Sequence, residues 1–148
     1  METNVNTTPQ FLLRIPRIFH EEMLAQARAE LPNECCGLLA GKISSDGLIA
    51  EALARYSLVN EMKSPSEFVS EPRGHLAAER DMRRRDLAVL AVYHSHPSSE
   101  PIPSRLDRER NYSERLINLI IGLMNETPTM RGWWLTETES QPAQFEVI

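Results

Sequence analysis

With 148 residues, 41% of them hydrophobic and 25% charged, the chain has the length and composition of one soluble globular domain and is too short for two cores. Its formal charge of −5 argues against a nucleic-acid binder, which needs clustered positive charge; the one basic run, Arg83-Arg84-Arg85, is flanked by Asp81 and Asp86. The only cysteines, Cys35 and Cys36, are adjacent, which suits neither an ordinary structural disulfide nor an oxidising compartment.

Residues 1–10 are polar and read as a flexible tail ahead of a single domain over 11–148. The N-terminus has neither a basic nor an apolar signal region, and no apolar run approaches the roughly 20 residues that span a bilayer. The expectation is a cytoplasmic protein.

In chain order, Phe11 to Ile15 reads as a short strand, and Pro16 suits the start of a helix over 17–31 with apolar residues at Ile18, Met23, Leu24, Ala27 and Leu31. Pro32 and Asn33 stop it. Glu34 to Ala40 reads as a buried strand, Ser44 to Gly47 as a turn, and Leu48 to Val59 as its antiparallel partner. A loop follows from Asn60 to Ser66, then a short strand over 67–70 and a helix from Pro72 to about Arg85. Leu87 to Val92 is an apolar run of strand length. Ser104 opens a helix expected to reach about Arg115, and strands are expected over 116–124, 130–136 and 144–148. The first of these is nearly all apolar, as a strand covered on both faces should be. The sum is an α/β domain with a mixed sheet flanked by helices.

The stretch from Tyr93 to Asp107 carries the chemistry. His94 and His96 lie where a buried strand leaves the core, and positions i and i+2 of a strand face the same way, roughly 6–7 Å apart at Cα. Two imidazoles so placed can converge on one metal. Pro97, Pro101 and Pro103 stiffen the loop that follows, and Asp107 falls in the first turn of the next helix, from which a carboxylate can supply a third ligand. Three protein ligands with a fourth position for water is a catalytic zinc arrangement. Ser104 and Asp107 are equally the two ends of a helix cap, and capping would aim Asp107 at the metal.

His94-x-His96-Pro97 followed by Ser104-x-x-Asp107, together with Glu34 in Pro32-Asn-Glu-Cys-Cys-Gly-Leu-Leu-Ala-Gly41, resembles the signature of the JAMM (MPN-plus/JAB) zinc metalloprotease family, in particular its compact prokaryotic members. The resemblance implies a curved mixed sheet flanked by helices, loosely like the cytidine deaminase architecture. It implies one zinc ion held by His94, His96 and Asp107, with Glu34 as the base that assists attack of zinc-bound water and Ser104 as a stabiliser of the tetrahedral intermediate. The substrates it implies are ubiquitin-like or sulfur-carrier proteins, cut after a C-terminal Gly-Gly. The chain is too short to contain in full the two insertions with which eukaryotic deubiquitinases of the family grip ubiquitin.

Three other readings compete. A non-catalytic MPN-type interaction module has typically lost ligands, whereas every motif position is present here. A cysteine hydrolase would use Cys35 or Cys36, in apolar surroundings that raise a thiol pKa. RadC-type proteins share the fold but typically read His-Asn-His-Pro. Trp133 and Trp134 point to opposite faces of a strand, which makes one a core residue and the other a candidate for substrate contact.

Overall fold

The computed structural model describes residues 10–148, so the reading of the first nine residues as a tail lies outside the described residues. The elements run β1 (Leu12–Ile15), α1 (Arg17–Ala29), β2 (Cys36–Ile43), β3 (Ile49–Leu58), α2 (Pro72–Arg84), β4 (Ala88–His96), α3 (Arg105–Glu109), β5 (Ile117–Gly122), β6 (Thr129–Leu135), β7 (Ser140–Ala143) and β8 (Phe145–Val147). The strands form one sheet in the order β7-β6-β5-β4-β2-β3-β1-β8. Its edge strands, β7 and β8, are separated in sequence by Gln144 alone, so the sheet has to curl until its two edges approach. It is mixed: β4 and β5, β1 and β3, and β1 and β8 pair in parallel, while the remaining neighbours are antiparallel.

Both faces of this curved sheet are covered, and the two-residue period of β4 divides its side chains between them. On the α1 side, Leu13, Ile15, Met23, Ala27, Leu39, Tyr93, Leu119 and Trp134 form the larger core. On the α2 side, Cys36, Leu38, Leu58, Ala78, Met82 and Val92 form a second. Burying each large aliphatic side chain contributes roughly 1.5–3 kcal/mol. The Tyr93 hydroxyl donates to Gln26 Oε1 of α1 at 2.5 Å and accepts from Arg55 of β3 at 2.9 Å. Gly37 lies opposite Tyr93 in the β2–β4 register, and a Cβ there would come within 2.2 Å of the phenol ring. The tyrosine occupies the space that a side chain at 37 would need.

The expected hairpin of β2 and β3 is present and antiparallel. β4 runs through His96, flanked and paired by β5 and β2, as the placement of both histidines on one strand requires. Three local expectations differ. The segment over 67–70 is not a strand: the Asn60 carboxamide takes the Glu67 carbonyl at 3.1 Å and the Val69 N–H at 3.1 Å, groups that a sheet partner would otherwise hold. α3 stops at Glu109, well short of Arg115, since Asn111 is pulled away to donate to the Leu135 carbonyl at 2.9 Å and accept from Asn118 at 3.0 Å. β7, with Pro142 inside it, gave no strand signal; a proline is tolerated there because the strand lies on an edge.

Candidate metal centre

His94 and His96 close β4 on its α2 side, while Ser95 between them turns to the opposite face and accepts the Cys35 N–H at 2.8 Å. That bond ties the end of β4 to the residue after Glu34. α3 begins directly behind the loop that follows, and its start is set by a complete capping box. Ser104 Oγ accepts the Asp107 N–H at 3.0 Å, and Asp107 Oδ2 accepts the Ser104 N–H at 2.9 Å. The cap therefore fixes the carboxylate in space as well as the helix.

Asp107 Oδ1 lies 3.3 Å from His94 Nε2, Asp107 Oδ2 lies 3.1 Å from His96 Nε2, and the two Nε2 atoms are 3.2 Å apart. All three donor atoms fall within 4.8 Å of one another. Both histidines are buried and the Asp107 side chain is nearly so. The geometry fits a cation. His96 Nδ1 lies 2.8 Å from the Glu100 carbonyl, which can only accept, so the ring proton sits on Nδ1 and the Nε2 lone pair faces the cluster. With His94 Nε2 aimed at the same point, two imidazole nitrogens and a carboxylate make an N2O donor set suited to zinc.

The electrostatics agree. Burial pushes Asp107 upward, but hydrogen bonds and charge from His94 and His96, with the Ser104 N–H, outweigh it and hold the carboxyl well below the usual carboxylate range. Burial likewise opposes charge on His96, yet Asp107 and the Glu100 carbonyl together raise it above an ordinary histidine.

Glu34 lies just before β2, beside β4 through the Cys35–Ser95 bond. It is 4% exposed, and its Oε1 has no hydrogen-bond partner among the described residues. Burial raises its pKa to about 8, partly offset by His96 and reinforced by Asp107 and Glu67. A buried carboxyl poised near neutrality beside a ligand cluster can exchange protons at working pH.

Residues 16–136 match the family described as prokaryotic homologs of the JAB domain. The chain belongs to this family. It is 34% identical over 85 residues to the CysO-cysteine peptidase of Mycobacterium tuberculosis, a match spanning 57% of this chain and 56% of that one. It is 34% identical over 97 residues to a probable TtuB-protein conjugate cleaving protease of Thermus thermophilus, spanning 65% and 61%, and 33% identical over 104 residues to a desampylase of Pyrococcus furiosus, spanning 70% and 68%. The first two matches cover less than two thirds of those relatives' own length. A solution structure from Desulfitobacterium hafniense superposes with a TM-score of 0.82 at 32% identity, covering 93% of each chain.

In this JAB domain the structure brings His94, His96 and Asp107 together, with Ser104 capping the Asp107 helix and Glu34 close enough to feel their charge. It also contains supports that the sequence reading did not assign. Phe68 stacks on the His94 ring, centroids 4.7 Å apart and planes 26° from parallel. Asn60 uses its whole carboxamide: besides Glu67 and Val69 it donates to the Glu34 carbonyl at 3.0 Å and accepts the Met62 N–H at 3.1 Å. Neither tryptophan is free to meet a substrate. Trp134 is in the main core edge-on to Phe11, and Trp133, also buried, donates its Nε1–H to the Pro101 carbonyl at 2.9 Å, anchoring the loop between the ligands. An asparagine ending a strand and an aromatic before a helix carry no signal by themselves; only their contacts give them a part. Burial raises the thiols of Cys35 and Cys36 to about 12, which leaves neither available as a nucleophile at neutral pH.

Proposed function

We propose that this JAB-domain chain is a zinc-dependent peptidase or isopeptidase that hydrolyses the bond after the C-terminal Gly-Gly of a ubiquitin-like or sulfur-carrier-type protein. The reading rests on one observation above all: two imidazole nitrogens and a carboxylate converge within 4.8 Å beside a buried, elevated-pKa glutamate. The names of the relatives, a CysO-cysteine peptidase, a TtuB-protein conjugate cleaving protease and desampylases, support the reaction class and the kind of substrate.

His94, His96 and Asp107 would hold the zinc ion, which supplies a Lewis acid that polarises the scissile carbonyl and acidifies water. Glu34 accepts the proton of the attacking water and delivers it to the departing nitrogen, a role for which a carboxyl near pKa 8 in metal-free protein is suited once a neighbouring cation draws it down. The balance is one water consumed: hydroxyl to the carbonyl carbon, proton to the amine, C–N bond broken. Ser104 Oγ already accepts from the Asp107 N–H, so its own proton is the part left to donate to an oxyanion. Phe68 and the Glu100 carbonyl hold the two imidazoles in orientation, as outer partners of metal-binding histidines do.

Elemental analysis and mass spectrometry on Gly-Gly-tailed adducts test this directly. About one zinc per chain is expected, lost in a His94→Ala, His96→Ala variant, together with cleavage after the second glycine. Glu34→Gln should retain zinc and lose about 10²–10⁴ in turnover. Full turnover by that variant would remove Glu34 from the mechanism, and absence of metal from the native protein would remove the mechanism itself.

A further inference from the structure

Asn60, two residues past the end of β3, is buried, and its carboxamide makes contacts in two directions. Nδ2 donates to the Glu34 carbonyl at 3.0 Å and to the Glu67 carbonyl at 3.1 Å, while Oδ1 accepts the N–H groups of Met62 and Val69, each at 3.1 Å. Both partners of the nitrogen are carbonyls and both partners of the oxygen are N–H groups, so only one orientation of the amide satisfies them all. A buried polar group satisfied on every side is held rigidly.

Two of these contacts bracket Phe68, whose ring stacks on His94; a third holds the backbone of Glu34. The peptide that carries the proposed base is fastened on its other sides as well. The Glu34 N–H donates to the Ser64 carbonyl at 2.8 Å, the Cys35 N–H donates to Ser95 Oγ at 2.8 Å, and the Cys35 carbonyl accepts the Ser95 N–H at 3.3 Å. The turn that delivers the Ser64 carbonyl starts at Asn60, whose own carbonyl accepts the Lys63 N–H at 3.2 Å. Glu34 Oε1, by contrast, has no hydrogen-bond partner among the described residues. The backbone therefore does much of the aiming of this carboxyl.

We propose that Asn60 is a positioning residue for this site: one carboxamide that holds the general base and the ring over a metal ligand in a fixed relation to each other. The inference rests on the hydrolytic reading above and adds to it a residue that acts through others. On one side its effect runs through the Glu34 carbonyl, on the other through the backbone that flanks Phe68. Because both pass through a single amide, losing it displaces the base and uncovers His94 together. A merely structural Asn60 would cost stability and leave the chemistry of the folded molecules unchanged.

The experiment uses the zinc-loaded chain, its Asn60→Ala and Asn60→Asp variants, and Met23→Ala as a control destabilised in the core on the α1 side. Asn60→Asp keeps the two acceptor contacts and loses both donors. Turnover of a Gly-Gly-tailed adduct per bound zinc should fall by about 10² in both Asn60 variants with KM little changed, the cost of a base displaced by about 1 Å. Met23→Ala should match the native rate per bound zinc. A second readout is independent of turnover: the ring current of Phe68 shifts the His94 ring protons upfield, and both Asn60 variants should move them toward their position in Phe68→Leu. A third needs no variant: native-state hydrogen exchange should give the amides of Glu34, Met62 and Val69 one shared opening free energy. Asn60 variants as fast per zinc as Met23→Ala, or with His94 resonances unmoved, overturn the positioning role and keep the hydrolase. Unrelated opening energies for the three amides overturn the coupling in the same way. Moved resonances and a shared opening, with no cleavage by the native chain, keep the coupling and overturn the hydrolase.

Discussion

Glu34→Gln in metal-free protein should alter stability as a function of pH, not only activity. In the folded chain the Glu34 pKa stands at about 8, against an ordinary value of 4.5, with burial the leading cause. The folded state therefore binds this proton more tightly than the unfolded state. The stability that the protonated carboxyl contributes is complete below about pH 4.5 and is lost progressively as the pH rises through about 8. At about 1.36 kcal/mol for each pH unit, the loss approaches an upper bound of about 5 kcal/mol above that range and is about 3 kcal/mol by pH 7. Glutamine has nearly the same shape and cannot titrate. Urea unfolding of both proteins in chelator, from pH 4.5 to 9, gives the difference curve in which other titrating groups cancel. The wild type should fall relative to the variant by a few kcal/mol, and added zinc should flatten the curve by favouring the carboxylate. Parallel curves in chelator would refute the reasoning, since they would mean that the carboxyl is solvated or already paired.

Two further outcomes are expected. Ser104→Ala removes the acceptor of the Asp107 N–H, so thermal unfolding should show a loss of about 1 kcal/mol for the cap, and turnover per bound zinc should fall by about 10²–10³; a fall only in proportion to lost metal would confine Ser104 to capping. Gly37→Ala places a methyl against the Tyr93 ring in a close-packed core, and calorimetry should show destabilisation of about 1–3 kcal/mol or more, whereas an unchanged melting temperature would mean that the tyrosine moves freely.

Much of this was open to a reader of the residues. Period-two alternation places His94 and His96 on one face of β4 whatever β4 packs against, and Ser104 with Asp107 spells a helix start because side chains three apart in a first turn meet. A nearly all-apolar run over β5, with Asn118 its one polar side chain, forces burial on both faces. These are local rules, and they set which side chains are available. What local rules could not decide is where elements distant in sequence meet. That Glu34 stands beside the histidines depends on β2 pairing with β4 across 60 residues, as the Cys35–Ser95 bond records. That Phe68 covers His94 depends on Asn60 holding its backbone away from the sheet. The early end of α3 follows from hydrogen bonds to strands that come later in the chain, and β7 lies at an edge because β6 is its one neighbour in the sheet order. The cavity lined by Leu38, Phe68, Val92, His94 and Leu106 exists only once the sheet and the helices are assembled. The sequence by itself determined the ligand chemistry, because that chemistry resides in residue types at short spacing; the tertiary structure alone decided the buried environment that tunes Glu34, because burial belongs to the assembled chain.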